Sequence, residues 1–155
     1  NALKTAAGEK PEEGIQQLSF VTQKGFKTLA QLRSAAMLAK SGKIDDAQKI
    51  YSEVIGDVTA DPPLRDVAAI RAAYLQIDTM TADELKARLI RFDETGNPWR
   101  NAFREIVGLA AYRTEDFAAA DKMMNEIAAD PEAPANMRQR AQTMIGLLAP
   151  RLPKT

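Results

Sequence analysis

The chain has 155 residues, 45% of them apolar, enough for a real core in about one domain. Its 21 basic and 21 acidic side chains cancel, which argues against nucleic acid or an anionic membrane surface as the main partner, since both select for clustered positive charge; local patches stay open. With no cysteine and no histidine, disulfides, zinc fingers, Cys or His nucleophile systems and the usual transition-metal sites are excluded.

Residues 1–7, NALKTAA, read as the last turns of a helix that Gly8 ends, and the opening Asn1-Ala2 without methionine reads as the start of a trimmed chain. Pro11, Glu12 and Glu13 suit a new helix start, with proline in the first turn and carboxylates near the positive end of the dipole. Ile15, Leu18 and Val21 give that helix a stripe, and it is expected to end near Gly25. A further helix is predicted from about Phe26 to Lys40. It leads into a hairpin over Leu29 to Asp57, where Gly42 supplies the left-handed backbone angle that closes the first helix. After the turn Ile44, Ala47, Ile50, Tyr51 and Val54 share one face.

Asp61-Pro62-Pro63 breaks the pattern, which resumes with Leu64, Val67, Ala68, Ile70, Arg71, Tyr74 and Leu75. Thr81 with Glu84 forms a capping box before the stripe Leu85, Leu89 and Phe92. Asn97 can cap and Pro98 occupy the first turn of a helix to Arg113, and Thr114-Glu115-Asp116 links it tightly to a helix carrying Phe117, Ala120, Met124 and Ile127. Asp130-Pro131 stops that helix. A last one runs from Pro134 to about Leu148, ended by Pro150 and Pro153. No stretch alternates with period two, so the chain is predicted to be all-α. No apolar run approaches the ~20 residues of a membrane span, and the stretch as it stands is expected to be soluble.

Successive hairpins repeat. In the second helices Gly14, Ala47, Leu85 and Ala120 fall in register at spacings of 33, 38 and 35 residues, and Ala35, Ala73 and Gly108 keep the last two spacings in the first helices. A large apolar residue follows four places on, among them Tyr51. A helix-turn-helix unit of this length, with the Gly42, Ala47, Tyr51 series, resembles the tetratricopeptide repeat. The expected organisation is a single solenoid of antiparallel pairs: a partial first repeat at 1–25, repeats at 26–57, 63–93 and 97–130, and a capping helix at 134–149. Ala35, Gly42, Ala47, Tyr51, Ala73, Leu85, Gly108 and Ala120 are its packing residues, with Leu85 departing from the small residue expected there.

The segments LRSAAMLAKSGKIDDAQKIY, PPLRDVAAIRAA, GNPWRNAFREIVGLAAYR and PANMRQRAQTMIGLL resemble more specifically the repeat domain of the YfgM-type bacterial inner-membrane, translocon-associated proteins. That resemblance implies a periplasm-facing domain behind one N-terminal membrane helix, the chain's only link to a membrane. Its implied partners are proteins, translocon subunits or periplasmic chaperones. The balanced charge and the lack of histidine and cysteine, read from the residues themselves, set the expectation of no nucleic-acid partner, no cofactor and no enzymatic activity. The tetratricopeptide resemblance implies that the concave face is lined by the first helices: Leu32, Arg33, Ala36 and Lys40; Ile70, Arg71, Tyr74 and Asp78; Ala102, Glu105, Leu109, Tyr112 and Arg113. Of these, Arg33, Lys40, Arg71, Tyr74, Glu105, Tyr112 and Arg113 are the candidate protein-binding residues, because arginine and tyrosine among apolar neighbours are enriched at interfaces. The carboxylate-clamp subtype needs asparagine where Ala36, Tyr74 and Leu109 stand, so recognition of a chaperone's acidic C-terminus by that mechanism is disfavoured. The competing readings are a structural or oligomerisation domain pairing with a second copy, and a cytoplasmic adaptor. The acidic pairs Glu12-Glu13, Asp45-Asp46 and Glu115-Asp116 sit in first turns of helices, where the dipole explains them without catalysis or metal. Trp99, Met124 and Met144 are assigned to packing.

Overall fold

The structure, a computed structural model, describes the backbone of residues 11–153 and the side chains of residues 25–153. Among these residues the fold is all-helical: α1 Pro11–Lys40, α2 Ile44–Gly56, α3 Pro62–Gln76, α4 Ala82–Leu89, α5 Arg100–Arg113, α6 Phe117–Ala129 and α7 Ala135–Leu148, with short 3-10 turns at Ile90–Phe92 and Ala149–Arg151. The chain divides into two units, 1–72 and 73–155, and the division falls within α3.

In the first unit α1 packs against α2, burying Leu32 and Ala35 on one helix and Ala47, Tyr51 and Val54 on the other. α1 is one helix of 30 residues, so the end expected near Gly25 does not occur. A helical glycine costs only about 1 kcal/mol against alanine, and no proline stands between Pro11 and Pro62, so nothing near Gly25 forces a break. The expected helix at residues 1–7 lies outside the described residues. Gly42 does take a positive φ of 80° and closes α1, with the Lys43 N–H donating to the Leu38 carbonyl at 2.9 Å and the Gly42 N–H to that of Ala39 at 3.1 Å. Two side chains tie α2 to the following segment: Gln48 Nε2 donates to the Ala72 carbonyl at 2.9 Å and Arg65 Nε to the Ile55 carbonyl at 3.0 Å.

The second unit repeats that hairpin. At the α5–α6 turn the Asp116 N–H donates to Ala111 at 2.9 Å and the Glu115 N–H to Tyr112 at 3.1 Å, the same bonds displaced by 73 residues. Glu115 occupies the place of Gly42, with φ 63°. α5 and α6 cross closely. A Cβ on Gly108 would sit 2.7 Å from Met124 Cε and 3.0 Å from Met123 Cβ, and Ala120 opposite is fully buried. Met124, Ile127, Ala141 and Leu148 extend this core between α6 and α7.

The capping box at Thr81 forms as expected: its hydroxyl accepts from the Glu84 N–H, and the Glu84 carboxylate accepts from the Thr81 N–H at 2.8 Å. Donation from the Thr81 N–H, and then from the Thr81 hydroxyl, lowers the Glu84 carboxyl from its ordinary value. Asn97 Oδ1 accepts from the Trp99 N–H at 2.9 Å, but the helix starts at Arg100, so Pro98 precedes it and Trp99, half-buried, is its N-cap. The end of α6 is held to the start of α5 by Asp130. Its Oδ2 accepts from Arg100 Nη2 at 2.5 Å and Asn101 Nδ2 at 3.0 Å, while Arg104 reaches Asp93 and Glu126 at 3.3 and 3.2 Å.

Candidate binding site

A cavity of about 510 Å³ opens to solvent in the second unit, lined by Tyr74, Glu105, Leu109, Met124, Arg140, Thr143 and Met144. Its polar wall is a three-residue network. Glu105, 7% exposed on α5, accepts from the Tyr74 hydroxyl at 2.5 Å, from Arg140 Nε at 2.8 Å and from Arg140 Nη2 at 3.1 Å. A buried carboxylate is tolerated only when paired and hydrogen-bonded, and the fork of Arg140 does both with two parallel bonds. Burial, followed by donation to the Glu105 carboxylate, pushes the Tyr74 phenol far above its ordinary value. The Glu105 hydrogen bond likewise raises Arg140. Tyr74 therefore stays a donor at any working pH.

Apart from Thr143, whose hydroxyl donates to the Gln139 carbonyl at 3.1 Å, the remaining wall is apolar and soft, with Leu109 and two flexible thioethers, Met124 and Met144. Glu105 and Arg140 cancel in charge, so the cavity suits an uncharged apolar group. Half of the Arg140 side chain stays exposed at the mouth, where its remaining N–H groups can meet a carbonyl oxygen.

Of the sequence-derived candidates, Tyr74 and Glu105 are brought together here, with Leu109 beside them. Arg113 is spent on the backbone: its Nε donates to the Ile77 carbonyl and its Nη2 to that of Met80, both at 2.8 Å, covering carbonyls of the turn that follows α3. Tyr112 packs edge-on against Phe117 with ring centroids 5.9 Å apart. Arg33, Lys40 and Arg71 are exposed residues of the first unit, outside the cavity. Every packing residue from Ala35 to Ala120 is buried except the turn residue Gly42. Among the described residues no group of three carboxylates could hold a metal ion, and no helix is long and apolar enough to cross a membrane.

Arg140 is absent from the sequence-derived set, in which the last helix is only a cap. A signal was available: α7 spans 135–148 and α5 spans 100–113, a shift of 35 that is the repeat spacing itself. The same shift carries Glu105 onto Arg140 and Leu109 onto Met144. No protein-family model, curated protein sequence or solved structure matches the chain.

Proposed function

We propose that the chain is a non-enzymatic protein-binding scaffold, a tetratricopeptide-like solenoid in which α7 is the first helix of a further repeat and the cavity is an anchor site. The observation that carries this reading is the row of cavity residues: Tyr74, Leu109 and Met144 stand at one register position of three successive first helices, and Glu105 and Arg140 at another. The identical turn bonding around Gly42 and Glu115 supports the repeat independently. A partner segment inserts one uncharged apolar side chain between Leu109, Met124 and Met144, and a backbone carbonyl of the same segment accepts from Arg140 at the mouth. Through the family resemblance the partners are translocon subunits or periplasmic chaperones, and the domain faces the periplasm.

Titration with those purified proteins tests it. Leu109→Trp, which fills the cavity, and Arg140→Ala, which opens its wall, are expected to weaken binding about thirtyfold, while exposed Lys122→Ala changes little. Equal binding by all three variants moves the interface elsewhere.

A further inference from the structure

Chain-wide neutrality conceals two segments that hold basic but no acidic side chains, residues 133–155 and a longer one that includes the exposed face of α1. From Gly14 to Ile44, 31 residues, the sequence holds five of its 21 basic side chains and none of its 21 acidic ones. Most of this segment is α1. At 100° per residue Phe26, Leu29, Arg33, Met37 and Lys40 fall within about 80° of each other and the buried Thr28, Leu32 and Ala35 within about 60°, the two centres about 130° apart. Phe26, Leu29 and Met37 are 63%, 50% and 65% exposed, so three large apolar side chains face water along one stripe. Lys27, Arg33 and Lys40 are exposed too, and among the described residues none has a carboxylate within ion-pair distance.

We propose that this face of α1 adsorbs to an anionic lipid surface, with Phe26, Leu29 and Met37 entering the headgroup layer, and Arg33 and Lys40 within the stripe and Lys27 flanking it about 80° beyond Met37 pairing with lipid phosphates. The placement of the charges selects lipid over a protein groove. Arg33 and Lys40 lie inside the apolar stripe rather than along its borders, at the places where a helix-binding groove takes further apolar anchors. Burial in such a groove strands each cation unless a carboxylate is placed opposite it. A headgroup layer offers phosphate at every point, and long basic side chains reach it while their stems lie among apolar neighbours. Nucleic acid offers phosphate too but leaves the phenylalanine, leucine and methionine in water. The cavity of the second unit plays no part in this contact.

Sedimentation of the intact chain with vesicles tests the proposal, comparing pure phosphatidylcholine with phosphatidylcholine containing about 40% phosphatidylglycerol. Each basic side chain near such a surface contributes about fivefold, so K27E/R33E/K40E is expected to lose at least a hundredfold in partitioning onto the anionic vesicles. Wild-type binding is expected to weaken as salt rises. The charge-matched control K49E/K86E/K122E, at exposed lysines of α2, α4 and α6, is expected to stay within a few-fold of wild type. F26S/M37S is expected to lose about tenfold with the basic residues intact. All substituted sites are exposed, and circular dichroism checks that helicity is unchanged. Equal partitioning onto the neutral vesicles, no partitioning onto the anionic ones, or equal losses from the two triple variants would overturn the proposal. Absence from vesicles together with salt-sensitive capture on immobilised polyglutamate would also overturn it and give the face to an acidic protein.

Discussion

Gly25 and Gly108 are both helical glycines whose surroundings reverse the sign of the same substitution. A Cβ at Gly25 meets nothing within 4 Å, so Gly25→Ala removes only the entropic handicap of glycine and is expected to stabilise by about 0.5–1 kcal/mol. At Gly108 the new methyl collides with Met124 Cε at 2.7 Å, which can swing away, and with Met123 Cβ at 3.0 Å, which is fixed to the α6 backbone. Gly108→Ala is expected to destabilise by about 1–2 kcal/mol after its helical gain is counted. Urea denaturation of the two variants checks the pair, and opposite shifts of the midpoint are the expected result. Glu115 makes the complementary case. It holds a left-handed angle without being glycine, because the carbonyls of Ala111 and Tyr112 need the same N–H donors that their counterparts Leu38 and Ala39 receive around Gly42.

Between elements, the most exacting contact is the one that Asp130 makes from the end of α6 to the start of α5. The Arg100 hydrogen bond, opposed by burial and aided by Asn101 and by the Glu132 N–H, holds the Asp130 carboxyl at about 2 against an ordinary 3.8. A carboxyl whose folded value lies below its unfolded one stabilises the fold at pH above the unfolded value and loses that stabilisation as pH falls. The window here is therefore roughly pH 4 down to pH 2. Melting temperature is expected to fall across it in the wild type. Asp130→Asn is expected to melt several degrees lower at pH 7, with the two curves converging toward pH 2, because the asparagine leaves Arg100 and Arg104 without their shared carboxylate. Glu84 titrates in the same direction in both proteins, so the difference between the curves isolates Asp130. Parallel curves over the whole range would remove Asp130 from the pH response. The aspartate itself was legible as a helix stop before a proline. Its arginine partners were not, since nothing in the spacing of Arg100, Arg104 and Asp130 distinguishes a 30-residue ion pair from solvated surface charges.

Across the whole molecule, the strongest helix contacts join sequence neighbours: α1 with α2, α4 with α5, α5 with α6 and α6 with α7. Local contacts of this kind close short loops, and chains built from them fold in microseconds to milliseconds. Refolding from urea, followed by the fluorescence of Trp99, is expected to finish within about 10 ms, and a dominant phase of seconds would contradict it. The sequence by itself determined the helical class, the turn at Gly42, the capping box at Thr81 and the burial of Ala47, Leu85 and Ala120, because period, caps and small-residue register are properties of neighbours along one chain. It also pointed to Tyr74 and Glu105. Tertiary structure decided that α1 runs unbroken through Gly25, where a weak propensity loses to continuous helix on both sides. It decided as well that Arg113 serves backbone carbonyls and that Arg140, 35 residues beyond Glu105, completes the cavity wall. Those outcomes depend on which side chain reaches which partner across helices, and a one-dimensional pattern leaves that distance open until the helices pack.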